Sequence, residues 1–295
     1  MGRPGALGLV ALLGLLVASL SSGCGATLSS GPAQTSPGRE FSVVVDLDGE
    51  PLTLHLALPI TATGPSAPLV VYGSGDGGWF GTAVGMFRAI ARSGRPTAGF
   101  STRAFMNIEH RRDRPLNVTH LIEAYQHVVS AARVQLGLAA DAPAVLTGWS
   151  RGAALGVLVA SSHEPGPAVA GLVAIGLPAR EDLDLDSDSD DDATAGAVGV
   201  VPASGPGALD LYRLLERIAP RRVLVIQASH DGYLPASNAR QLFGDDSSTA
   251  RLIDIDARNH RFDGAESELA VALVDAVNWI ASAASDPAER AQVHN

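Results

Sequence analysis

The chain has 295 residues, 46% of them hydrophobic, and a formal net charge of −10. That length and apolar content suffice for one sizeable buried core. The acidic balance excludes a nucleic-acid binder, which needs a basic face. Much of the charge is local, because eight acidic residues lie between Glu181 and Asp192 and removing those eight from −10 leaves −2. All 21 basic residues are arginine, which excludes a Schiff-base lysine and a phosphate-loop lysine.

The first segment, 1–24, reads as an export signal. Arg3 supplies a positive region, Ala6 to Leu20 is a nearly continuous apolar run, and Ser21, Ser22 and Gly23 are small. The run is short for a membrane span. Cys24 is the only cysteine, so no internal disulfide can form. Its position resembles a bacterial lipobox, with Ser21 where leucine is usual. Lipidation at Cys24 would tether the domain to a membrane surface. Gly25 is not the aspartate that retains lipoproteins at an inner membrane, so the expected location is the periplasm or the outer membrane. Residues 25–39 are rich in Ser, Gly and Pro and read as a flexible linker.

The domain is expected over 40–285, followed by a tail over 286–295. Two strands, Phe41–Leu47 and Leu52–Leu58, flank an Asp-Gly turn at Asp48–Gly49, a hairpin signal. From Leu69 strands and helices alternate. Strands are expected over Leu69–Tyr72, Thr97–Phe100, Ala144–Thr147, Gly171–Ile175, Arg222–Gln227 and Arg251–Ile255. Helices are expected over Trp79–Arg92, Asn117–Leu136, Arg151–Ser162, Leu209–Ile218, Ala236–Phe243 and Ala265–Ala284. Short apolar strands between helices imply a mostly parallel central sheet with helices on both faces, to which the hairpin adds antiparallel strands. The stretch 179–207 interrupts this rhythm and reads as an acidic, disordered insertion. Its alternating aspartates hint at calcium, but Ser187 and Ala193 stand where an EF-hand loop needs Gly and Glu.

The strongest chemical signal is Gly148-Trp149-Ser150-Arg151-Gly152. It fits G-x-S-x-G between an expected strand and an expected helix, the context of a nucleophile elbow, and so points to an α/β-hydrolase fold. The serine needs a base and an orienting acid, in the chain order Ser, Asp or Glu, His. His260, just after the last strand, is the expected base; His163, His230 and His294 are less well placed. Asp231, after the penultimate strand, is the expected acid, with Asp254 and Asp256 as rivals. The turn Gly73-Ser74-Gly75-Asp76-Gly77-Gly78-Trp79 is the expected oxyanion loop. Amides near Asp76 and at Arg151 are its natural donors. The Asp76 carboxylate would oppose an oxyanion if it pointed inward; bracing the loop is the leading role, and binding a cationic part of the substrate is the other. Gly75, Gly77, Trp79 and Trp149 are candidate substrate contacts, although Trp149 also suits packing. Arg103, Arg111, Arg112 and Arg114 cluster at the same sheet end, as a solvated loop or an anion-attracting patch. The histidines lack metal-ligand spacing, so no metal and no cofactor is expected.

Gly75-Asp76-Gly77-Gly78-Trp79, Gly148-Trp149-Ser150-Arg151-Gly152 and His260-Arg261-Phe262 together resemble the VirJ/AcvB family of bacterial virulence-associated α/β hydrolases, over about Leu69 to Ala284. Arg151 departs from the aromatic residue usual in that elbow, while Ala153 agrees. The resemblance implies an exported hydrolase, with aminoacylated phosphatidylglycerol as a substrate. The leading expectation is therefore a serine esterase acting on an ester or aminoacyl-lipid. The alternatives are a non-catalytic envelope binding or secretion-associated protein on the same fold, and a peptidase.

Overall fold

A computed structural model describes residues 38–61, 63–111, 116–162, 168–182 and 208–285. Cys24 with the export-like segment, 25–37 of the linker, Arg112, Arg114, His163, most of the acidic insertion and the tail with His294 lie outside them.

Strands β1 (Arg39–Leu47) and β2 (Glu50–Leu58) form an antiparallel pair with Leu47 opposite Glu50. Asp48 and Gly49 both take positive φ, 52° and 92°, as a two-residue hairpin turn requires. β2 then pairs antiparallel with β4 (Thr97–Phe100). The remaining strands of this sheet, β3 (Leu69–Gly73), β5 (Ala144–Trp149), β6 (Val169–Ile175), β9 (Arg222–Ala228) and β10 (Ala250–Ile255), run parallel with β4. The eight strands are ordered β1-β2-β4-β3-β5-β6-β9-β10.

Alternation of side chains assigns successive residues of a strand to opposite faces. Leu69 and Val71 of β3 enter one apolar cluster, and Val70 and Tyr72 enter the other. The first cluster is closed by Phe105 of α2 (Thr102–His110), Tyr125 of α3 (Val118–Leu136), Leu158 of α4 (Arg151–Ser161) and Leu214 of α5 (Leu211–Glu216). The second is closed by Phe87 of α1 (Thr82–Ala91) and Leu273 of α7 (Glu266–Ser285). With α6 (Ala236–Phe243) between β9 and β10, this is the expected architecture: a mostly parallel sheet covered on both faces, with a hairpin at one edge. Local signals mark the helix ends. Ser101 and Asn117 cap α2 and α3 by accepting from the Ala104 and His120 amides, and Gly137 ends α3 with φ 67°. Each polar cap contributes about 1 kcal/mol.

Four expectations are corrected. Helix α2 occupies residues read as a loop: Phe105, Met106 and Ile108 are all buried, a spacing that Arg103 and Arg111 obscured. Helix α1 begins at Thr82 rather than Trp79. Helix α5 is shorter than Leu209–Ile218, because Ala208–Asp210 form strand β8, paired antiparallel with β7 (Arg180–Asp182). The insertion therefore begins as an ordered strand rather than as disordered chain.

Candidate active site

Three parallel strands deliver the elbow serine, the candidate acid and the candidate base to one sheet end. Ser150 follows β5 directly, Asp231 lies just beyond β9 and His260 just beyond β10. Carboxyl ends of parallel strands are where ligands gather in such sheets.

Ser150 sits between β5 and α4 at φ 57° and ψ −121°. This is a sparsely populated region for a side-chain-bearing residue, and it persists only because the surroundings enforce it. The enforcement is steric. A methyl group on Gly148 would lie 2.2 Å from the Gly152 carbonyl oxygen, and one on Gly152 would lie 2.3 Å from the Gly73 oxygen. Both glycines thus let α4 descend onto β3 and β5. The Ser150 amide donates to the Ile175 oxygen at 2.9 Å. Its hydroxyl forms no cap on the helix it precedes, and the residue lines a cleft of about 300 Å³.

His260 lies across that cleft. Its Nδ1 is 2.7 Å from Asp231 Oδ2. An ionised carboxylate only accepts, so Nδ1 carries the proton of this bond, and in the neutral ring that leaves the lone pair at Nε2. Nε2 is buried and has no hydrogen-bond partner among the described residues; no bond joins it to Ser150. The ring packs over Trp149 at 5.6 Å and against the Tyr233 edge at 4.8 Å. Trp149 Nε1 donates to the His260 carbonyl at 3.2 Å. Below the ring, Gly176 has φ 55°, and a methyl group there would come within 2.8 Å of His260 Cε1.

Asp231 is 1% exposed. Its Oδ1 accepts from the Tyr233 amide at 2.8 Å and the Leu234 amide at 3.4 Å. Its Oδ2 accepts from Gln227 Nε2 at 3.0 Å as well as from His260. A buried carboxylate is tolerable only when its oxygens are satisfied in this way. The rivals are elsewhere: Asp254 accepts from Ser229 Oγ at 2.7 Å, and exposed Asp256 is 3.8 Å from exposed His230.

Gln227 was not singled out by sequence. It is fully buried at the end of β9, and its amide donates to Asp231 and to the Leu234 oxygen. Gln227→Leu removes a donor to a buried charge, so chemical denaturation is expected to find the protein about 2 kcal/mol less stable; wild-type stability would contradict this accounting.

On the other side of the cleft stands Gly75-Asp76-Gly77. A methyl group on Gly75 would lie 3.4 Å from Ser150 Cβ, so this backbone passes close over the serine. The Asp76 carboxylate pairs with Arg151, Nε to Oδ1 at 3.1 Å, and 58% of the side chain is exposed. The same Nε is 3.1 Å from Glu181 Oε1 of β7. Burial raises the Glu181 pKa above its ordinary value, opposed by the Arg151 charge and hydrogen bond. The Arg151–Asp76 pair ties the loop to α4, as a bracing role for the Asp76 side chain requires. Glu181 was missed because it opens the acidic run and reads as one more solvated charge.

Gly75, Asp76, Gly77, Trp149, Ser150, Tyr233, Asn259, His260 and Arg261 line the cleft. Trp79 does not. It stacks on His55 at 4.1 Å and packs edge-on against Phe87, so its expected role in contacting substrate is replaced by packing. Arg103 and Arg111 also lie off the cleft lining; Arg111 pairs with Glu50 at 3.4 Å on the surface. Among the described residues no group of three or more His, Cys, Asp or Glu is placed to hold a metal ion.

No family model and no curated protein matches the sequence. Solved structures do match. The esterase domain of a Rhodothermus marinus protein is similar with a TM-score of 0.55 at 19% identity, over 83% of this chain and 99% of that one. Est1E from Butyrivibrio proteoclasticus gives 0.56 at 14% identity, over 81% and 99%. An alpha-beta serine hydrolase homologue from Coxiella burnetii gives 0.52 at 15% identity, over 80% and 96%. At such identities the likeness is one of architecture: the chain has the α/β-hydrolase fold.

Proposed function

We propose that the protein is a serine hydrolase that cleaves ester bonds by acyl transfer to Ser150. The observation that carries this reading is the 2.7 Å bond from His260 Nδ1 to a buried, fully hydrogen-bonded Asp231, in a ring whose Nε2 is unengaged and whose cleft is shared with Ser150. In the proposed reaction Nε2 takes the Ser150 proton as Oγ bonds to the acyl carbon. The imidazolium returns that proton to the leaving alcohol as the ester C–O bond breaks. Water, activated by the same nitrogen, then adds to the acyl-enzyme, and Ser150 Oγ departs with a proton. Asp231 stays ionised and stabilises the imidazolium. The unbonded Ser150–His260 pair suits a resting site, whose catalytic hydrogen bonds tighten with substrate. Backbone amides of Arg151 and Asp76 are the proposed oxyanion donors, supported by the close pass of Gly75 over Ser150.

The finer reading is an exported hydrolase of the VirJ/AcvB type, tethered to the envelope through Cys24 and acting on aminoacylated phospholipid. The sequence motifs support it. The Arg151 pair on Asp76 argues against that carboxylate as the ammonium site.

A fluorophosphonate probe tests the central claim. Wild type is expected to be labelled at Ser150, and Ser150→Ala to remain unlabelled. A folded wild-type protein that resists the probe would leave a binding protein on a hydrolase scaffold.

A further inference from the structure

We propose that Arg261 is the anion-recognising residue of this cleft, and that its ester substrates carry a carboxylate or phosphate group close to the scissile carbonyl. The inference rests on the hydrolase reading and deepens it. It starts from the charges that line the cleft. Asp76 is engaged by Arg151, and His260 by Asp231. Arg261 lines the same cleft, is exposed, and its guanidinium has no hydrogen-bond or ion-pair partner among the described residues. A planar guanidinium with five free N–H donors is matched in shape and charge to a carboxylate or phosphate.

The turn that presents Arg261 is built rather than loose. Phe262, the next residue, has φ 60° with its ring wholly buried. A bulky residue in the left-handed region is strained and persists only where its surroundings over-determine it. Here Asn259 supplies that determination. Its Oδ1 accepts from the Arg261 amide at 2.9 Å and the Asp263 amide at 3.4 Å, and its Nδ2 donates to Asp263 Oδ2 at 2.8 Å. The Phe262 amide bonds back to the Asn259 carbonyl at 2.9 Å. One strained turn thus sets the backbone that carries both the His260 ring and the Arg261 side chain. A substrate held by its anion at Arg261 presents its carbonyl to Ser150 within a cleft of about 300 Å³, so the binding contact also orients the reacting group.

Three 4-nitrophenyl esters of similar acyl length test this. Butyrate is neutral, the glutarate monoester carries a carboxylate, and 4-phosphonobutyrate carries a phosphonate in place of phosphate. Wild type is expected to favour an anionic ester over butyrate by about tenfold in kcat/KM, and Arg261→Gln to lower that ratio about tenfold or more. Arg261→Lys should fall between them, because it keeps charge and loses the fork. Butyrate turnover is the internal reference for any general loss. The anion whose ratio falls further identifies the substrate's group. A second readout needs no turnover: monomethyl glutarate and methyl phosphate should slow fluorophosphonate labelling of wild type more than of Arg261→Gln. A labelled enzyme with the same ratio and the same protection in both proteins overturns the Arg261 proposal alone, whereas failure of labelling overturns the hydrolase reading.

Discussion

His260→Ala is expected to lower kcat for ester hydrolysis by about 10⁶ and Asp231→Asn by about 10⁴, the scale of such losses when base or orienting acid is removed. The order of the two effects follows from the contacts. The imidazole is the base that this reading assigns to the Ser150 proton. The Asp231→Asn exchange would keep the shape of the site but bring a neutral amide to His260 Nδ1, 2.7 Å from the carboxylate in the wild type. That amide can donate to the ring as well as accept from it, so the tautomer with its lone pair at Nε2 is no longer enforced. It would also lie beside Gln227 Nε2, which in the wild type donates to a charged oxygen. Steady-state kinetics on a 4-nitrophenyl ester reads both losses. Equal, small losses below about tenfold in either variant would separate this pair from the chemistry altogether.

Gly152→Ala is expected to destabilise the fold strongly. The added methyl would lie 2.3 Å from the Gly73 carbonyl oxygen and 2.5 Å from the Ser74 oxygen. These are backbone atoms at the end of β3 and cannot swing aside as a side chain would. Relief requires α4 to lift off the sheet, separating Leu155 and Leu158 from the apolar cluster they close. Overpacking of this kind costs about 3 kcal/mol. For a domain of this size that lowers Tm by about 6–12 °C. Thermal unfolding measures it, and fluorophosphonate labelling should weaken in parallel because α4 carries the elbow. A wild-type Tm would mean that the helix has slack the packing does not suggest.

Much of this was legible in residue order, and the reason differs from element to element. Strand β3 reads plainly because four successive apolar residues can be satisfied only by burial on both faces. The elbow reads plainly because sterics demand glycine on both sides of Ser150. Asp231 and His260 read by chain order. Helix α2 did not, since its apolar positions alternate with charge over only nine residues, too short a window for periodicity to stand out. Trp79 misled for a different cause: sequence marks an aromatic beside a glycine loop but not the partner it stacks on, and His55 comes from β2, across the sheet. Gln227 and Gly176 were silent because each matters through contacts that the order of residues does not display. Glu181 was hidden by its acidic neighbours, and its pairing with Arg151 exists only once β7 folds back beside α4.

The β7–β8 ribbon has a consequence for how such a protein can change over generations. Asp182 faces Ala208 in register, so the two ends of the intervening chain emerge side by side. Closing a loop between adjacent ends costs free energy that grows only logarithmically with the number of residues enclosed, about 0.6 kcal/mol for each doubling. On that scaling alone, a change in the number of residues between Asp182 and Ala208 alters the closure cost little. The stem of that stretch abuts Arg151, one residue from Ser150, so a change of length there falls beside the elbow while the ribbon's own pairing is kept.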